Sequence, residues 1–227
     1  MNSLFQRYDA IFFLDTETSG LNFQNDRIIE LAAIRCTAEN GIRITHEMDD
    51  FVRLPQGWIL PEEITNLTGI TDEMLKNDGI AATVCAKKFA SLLAMGKKNL
   101  LVAYNAQFDM NYLFYFLHRA GVSDSLRGIE MLDALTVYKD RHEYPHKLEN
   151  AIETYKLTDK VQNSHRAIDD TKALLEVMLA MDEEKGDLVR YINLFGYNPK
   201  YGISGKKISS VCYKPQYYRH SKYLYED

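Results

Sequence analysis

The sequence predicts an α/β layer fold built on one mixed sheet. Three observations carry this: three strand-like segments come first, strand and helix then alternate, and the strongest helical pattern follows near the end. The chain has 227 residues, 46% of them hydrophobic and 26% charged, which suits one main globular domain with an elaboration.

AIFFLDTETSG opens with an apolar run of strand length and closes on Ser-Gly, so Asp15 and Glu17 fall where a buried strand emerges. RIIELAAIRC and RITHEMDDFVRL read as two further strands around the turn ENG at 39–41, giving a sheet edge. PEEITNL and TDEMLKN are short helices, with Pro61 and Thr71 as start signals, and TVCAKKFASLLAMGKK is a longer amphipathic one. NLLVAYN is a strand that runs into the helix FDMNYLFYFLHRAG, which stops at Gly121. GIEMLDALTVYKDR is a last strand turning into a helix near Asp133, followed by the helix LENAIETYKL. HRAIDDTKALLEVMLAMDEE is the clearest helix, with apolar spacing at 174, 175, 178 and 179.

The texture shifts after Gly186, so the expected division is a main domain over 1–186 and a basic, Tyr-rich extension over 187–227. The net charge of −5 hides this asymmetry: the extension holds 7 Lys+Arg against 3 Asp+Glu and 8 of the 15 Tyr. Lysines and arginines neutralise phosphates and tyrosine rings stack on unpaired bases, so the extension reads either as a single-strand contact or as an arm packed on the domain. KISSVCY is read as a strand completing a hairpin with the residues before Gly205.

No apolar run is long enough to cross a bilayer, and MNSLFQRYDA carries no long hydrophobic segment behind a basic start. A cytoplasmic protein with no membrane partner is expected. Cys36, Cys85 and Cys212 are odd in number and widely separated, which points to reduced structural thiols.

Phosphodiester hydrolysis asks for an attacking hydroxide and relief of negative charge, which two hard cations about 4 Å apart supply from oxygen ligands. Asp15 and Glu17, two apart on a strand, point to one face. Asp109 follows the strand VAYN, with Asn105 and Phe108 suited to gripping a terminal nucleotide. His165 is a candidate general base, since imidazole is the side chain suited to exchanging a proton with water under physiological conditions, and it precedes Asp169 and Asp170, of which helical geometry lets only one face a site. Singly, each has an ordinary explanation: solvated acids, a helix cap, a surface histidine.

Together, DTET, NAQFD and HRAIDD in this order resemble the DEDDh family of 3′–5′ exonucleases over residues 8–182. The resemblance implies an RNase H-like fold, a mixed five-stranded sheet with helices on both faces. It implies Asp15, Glu17, Asp109 and Asp170 as ligands of two Mg²⁺ or Mn²⁺ ions, Asp170 rather than Asp169, and His165 as general base. It also implies substrate contacts at Thr16, Thr18, Asn105 and Phe108, and at Ile70 within LTGIT as a wedge beside the terminal nucleotide. Tyr104 stands where many members have His. The expected activity is stepwise release of nucleoside 5′-monophosphates from single-stranded DNA ends in proofreading, repair or turnover, with any polymerase partner acting in trans. RNA trimming, or an inactive module that tethers nucleic acid or a polymerase, is the alternative.

Overall fold

The computed structural model describes residues 1–39, 41–161, 164–194, 197, 198, 202, 203, 208, 210–214 and 224. A single helical turn, α1 (Asn2–Phe5), leads into β1 (Ala10–Thr18), β2 (Ile28–Thr37) and β3 (Arg43–Phe51). Helices α2 (Glu62–Thr68), α3 (Asp72–Asn77) and α4 (Ala82–Leu93) follow, then β4 (Asn99–Ala103) and α5 (Ala106–Arg119). β5 (Glu130–Asp133), α6 (Ala134–Arg141), α7 (Leu148–Thr154) and α8 (Ala167–Lys185) complete the main body, and β6 (Tyr197–Asn198) with β7 (Gly202–Ile203) form a small antiparallel pair.

The five-stranded sheet has the order β3-β2-β1-β4-β5, antiparallel between the first three strands and parallel from β1 through β4 to β5. β1 is central, and its opening residues Ala10–Leu14 are buried, as a strand covered on both faces requires. β3 is an edge strand whose exposed Arg43, His46 and Glu47 discourage pairing with another chain.

Alternation along β1 sorts its side chains between two cores. Ile11 and Phe13 join α6, α7 and α8 on one face, while Phe12 and Leu14 join α4 and α5 on the other. The helices therefore cover both faces, the layer architecture expected. A smaller cluster of Ile29, Leu60, Ile70 and Leu75 packs α2 and α3 beside the sheet.

Two local readings differ. The turn α1 carries one buried apolar anchor, Leu4, and is too short for any periodicity to show in the sequence. The hairpin of the extension closes between β6 and β7 rather than at KISSVCY, and no described residue of that segment lies in a strand. Ile208 and Val211 are instead three apart across a turn, with the Val211 amide donating to the Ile208 carbonyl at 3.0 Å, and both are buried in the α4–α5 core. An odd spacing cannot place two side chains on one face of a strand.

A carboxylate site at the end of the central strand

β1 pairs with β4 only as far as Phe13 and Val102, then runs on alone to Thr18 while it remains paired to β2. The opening this leaves receives side chains from both faces. On one face, α8 packs its stripe Leu174, Met178 and Met181 against the sheet, and Asp170 begins that stripe one turn earlier. Asp15, Glu17 and Asp170 consequently bring carboxylate oxygens within 4.8 Å of one another. On the other face, Asp109 sits in the first turn of α5, one turn before the buried Leu113, and Thr16 Oγ1 donates to its Oδ1 at 2.8 Å. Asp15 lies between the two groups, and among its neighbours Asp109 is the strongest electrostatic influence, ahead of Glu17 and Asp170.

Burial dominates the electrostatics. It raises Asp15 well above the ordinary carboxylate range, with Asp109, Glu17, Asp170 and Glu30 adding repulsion. Burial followed by Asp170, Glu30 and Asp109 pushes Glu17 up to about 8, and Arg166 opposes this. Burial holds Asp109 at about 7 against the lowering effect of the Thr16 hydroxyl, and it holds Asp170 at about 7 against backbone hydrogen bonding from Ser164 and His165. Four carboxylates that disfavour their own ionisation form a site that a cation stabilises.

Asp169 does not join the cluster. Its Oδ2 accepts from Ser164 Oγ at 2.6 Å. His165 is exposed on the segment leading into α8, in a left-handed backbone with φ 54°. Asn105 is also left-handed, at φ 69°, and exposed at the start of α5; Phe108 is half-buried with its ring centroid 4.9 Å from that of Tyr112. Thr16 and Thr18 are buried on the face of β1 opposite Asp15 and Glu17, and the Thr18 hydroxyl donates to the Gly20 carbonyl. Ile70 has no exposed surface: it packs with Ile29, Leu60 and Leu75, so the structure places it beneath the surface rather than as a projecting wedge. Tyr104 is half-buried and its hydroxyl donates to the His146 carbonyl at 2.9 Å.

Two residues that the sequence did not single out support the site. Asp133, 1% exposed at the end of β5, accepts from the Asn105 and Ala106 amides of α5 and from the Leu135 amide and Thr136 hydroxyl of α6. One carboxylate thus caps two helices that leave the sheet for opposite faces. Glu30, fully buried, lies opposite Glu17 in the β1–β2 register and binds Arg166. The signal for Asp133 was an acid directly before a helix; for Glu30 it was an acid within the apolar run IIELAAI, a position that demands a partner.

The exonuclease family model RNase_T matches residues 12–178, which span β1 through most of α8 and hold every carboxylate of the site. The chain is a member of this exonuclease family. Among its relatives, DNA polymerase III PolC-type of Caldanaerobacter subterraneus subsp. tengcongensis is 32% identical over 171 residues, covering 75% of this chain and 11% of the relative. The PolC-type polymerase of Staphylococcus epidermidis is 31% identical over 213 residues, covering 91% and 13%. The chain thus spans about a tenth of the length of these curated relatives. Solved structures with its fold include E. coli exonuclease I in complex with a dA16 oligonucleotide, with TM-score 0.68, 19% identity and coverage of 85% of this chain and 44% of that one. A 3′-exonuclease described as recognising the 3′ end of a histone mRNA stem-loop has TM-score 0.62 and 19% identity, covering 79% of this chain and 65% of that one. The chain therefore belongs to the exonuclease family by sequence and shares the RNase H-like fold of exonuclease I.

Proposed function

We propose that this exonuclease removes nucleotides one at a time from the 3′ end of single-stranded DNA by a two-cation mechanism. The observation that carries the reading is the convergence of Asp15, Glu17 and Asp170 within 4.8 Å, with Asp109 behind Thr16 on the opposite face. The donor set fits divalent cations. It is all oxygen, and Asp170 Oδ1 is buried with no hydrogen-bond partner. Asp15, Glu17 and Asp170 would hold one Mg²⁺ or Mn²⁺ ion, and Asp15 with Asp109 a second. When bound, the ions supply Lewis acidity at the phosphoryl and leaving oxygens.

The remaining steps belong to the chain. His165 takes the proton of the attacking water, and Asn105 and Phe108 hold the terminal nucleotide so that the attack is in line. The products are a nucleoside 5′-monophosphate and a strand shorter by one residue. DNA is favoured because the relatives at 31–32% identity are DNA polymerase III PolC-type chains, and the reading places the work in the cytoplasm, in proofreading, repair or turnover. RNA is the second reading, favoured by the shared fold with the histone mRNA 3′-exonuclease.

The test is side-by-side digestion of 3′-labelled single-stranded DNA, duplex DNA and RNA with Mg²⁺ or Mn²⁺. Fastest shortening of single-stranded DNA, abolished by Asp15→Ala, is expected. Preference for RNA would shift the substrate class, and binding without cleavage by the unaltered protein would make the chain a tethering module.

A further inference from the structure

The side chain of His165 is exposed and has no hydrogen-bond, ion-pair or ring partner among the described residues. An imidazole without contacts of its own is placed by its backbone, and the two residues that follow are held in three ways. Arg166 Nη2 and Nε reach Glu30 Oε1 at 2.7 and 3.1 Å, and Nε reaches Oε2 at 3.3 Å. Its guanidinium carbon lies 4.8 Å from the centroid of the Phe51 ring. Glu30 Oε2 also accepts from the Ala167 amide at 3.0 Å, so one buried carboxylate grips both the side chain of Arg166 and the first turn of α8. On the near side, Ser164 Oγ donates to Asp169 Oδ2. His165 is thus bracketed by two anchored residues.

The anchor is tied to the site itself, because Glu30 stands opposite Glu17 on the adjoining strand. An ion pair with one carboxylate fully buried and its guanidinium half-buried is a poor device for stability alone, since packed apolar side chains of similar volume serve as well; what it adds is a fixed geometry. We propose that the Arg166–Glu30 pair is a positioning clamp that sets the place of the His165 imidazole relative to Asp15, Glu17 and Asp170. This rests on His165 being the general base.

Arg166→Lys tests it, because it keeps the charge beside the carboxylates while removing the planar two-pronged contact. The expected result is a kcat lower by about 10-fold or more, with Mn²⁺ affinity measured by calorimetry held within about threefold. Deuterium uptake in peptides covering 164–170 should rise, and the double variant with His165→Ala should be no slower than His165→Ala alone. Unchanged uptake, or a rate loss fully additive with His165→Ala, overturns the clamp. Glu30→Gln, which keeps an acceptor for the Ala167 amide, gives the same readouts if Arg166→Lys fails to fold. A normal rate in His165→Ala alone would instead remove the base from the proposed function, and deuterium uptake would still decide whether the clamp holds the segment.

Discussion

At the scale of single residues, the carboxylates answer to two demands at once. Glu17 at about 8, Asp109 and Asp170 at about 7 and Asp15 above the ordinary range are all raised by burial first, with repulsion from the other site carboxylates adding at Asp15 and Glu17, from Asp133 at Asp109, and from Asp169 and Glu30 at Asp170. A carboxyl whose folded pKa exceeds its unfolded one leaves the native state holding more protons than the unfolded state between those two values. Stability supplied by these groups is therefore full below pH about 4 and declines as pH rises toward about 8. Without divalent cations, the melting temperature is expected to fall from pH 5 to pH 8 by less in Glu17→Gln than in the unaltered protein, each kcal/mol amounting to about 2–4 °C. Mg²⁺ or Mn²⁺ should restore the loss most at pH 8, where the ligands are deprotonated, as thermal melts with and without cation will read. His165→Ala is expected to lower kcat about 10²-fold with little change in Mn²⁺ affinity, because it removes a proton acceptor and no ligand. Equal rates of the two proteins over pH 6 to 9 would remove that role.

At the scale of elements, the site depends on how strands and helices end. β1 outruns β4, α5 begins at the opening, and α8 lays an apolar stripe on the sheet with Asp170 at its head. Asp133 holds two of these ends together, so Asp133→Ala strands amides of both α5 and α6. The expected cost is about 2–4 kcal/mol, read by urea denaturation, together with reduced activity because Asp109 rides on the first turn of α5. Asp133→Asn should recover much of the stability. The strands and helices were legible in advance because their apolar periodicities are long and regular. The role of Asp133 was not, because its partners Asn105 and Ala106 lie 28 and 27 residues away along the chain. The partner of Glu30 was hidden for the same reason: Arg166 is 136 residues distant.

At the scale of the whole molecule, the texture change after Gly186 does not coincide with an end of the core. Leu188, Tyr191 and Leu194 are fully buried in the same cluster as Ile11 and Phe13, and Ile208 and Val211 enter the opposite core. Truncation after 186 is therefore expected to destabilise the domain severely, given about 2–5 kcal/mol for each large apolar side chain withdrawn from a core. Replacing Lys200, Lys206 and Lys207 with Ala removes three of the seven basic residues of 187–227 without shortening the chain, and a salt series on single-stranded DNA with that variant tests whether the basic extension contributes affinity. Unchanged affinity at every salt concentration would leave the tail no part in binding substrate. Tyr217, Tyr218, Tyr223 and Tyr225, on which the stacking idea partly depends, lie outside the described residues.

The sequence by itself determined the layer architecture, the same-face pairing of Asp15 and Glu17, and the order of three acidic motifs. Each of these follows from local periodicity or from adjacency along the chain. Only the tertiary structure decided that Asp109 and Asp170 approach from opposite faces of the sheet, that Ile70 is buried, and that Asp133 and Glu30 anchor the surrounding backbone. Those are contacts between distant segments, formed when burial of two apolar faces brings polar ends to one edge, and periodicity carries no record of them.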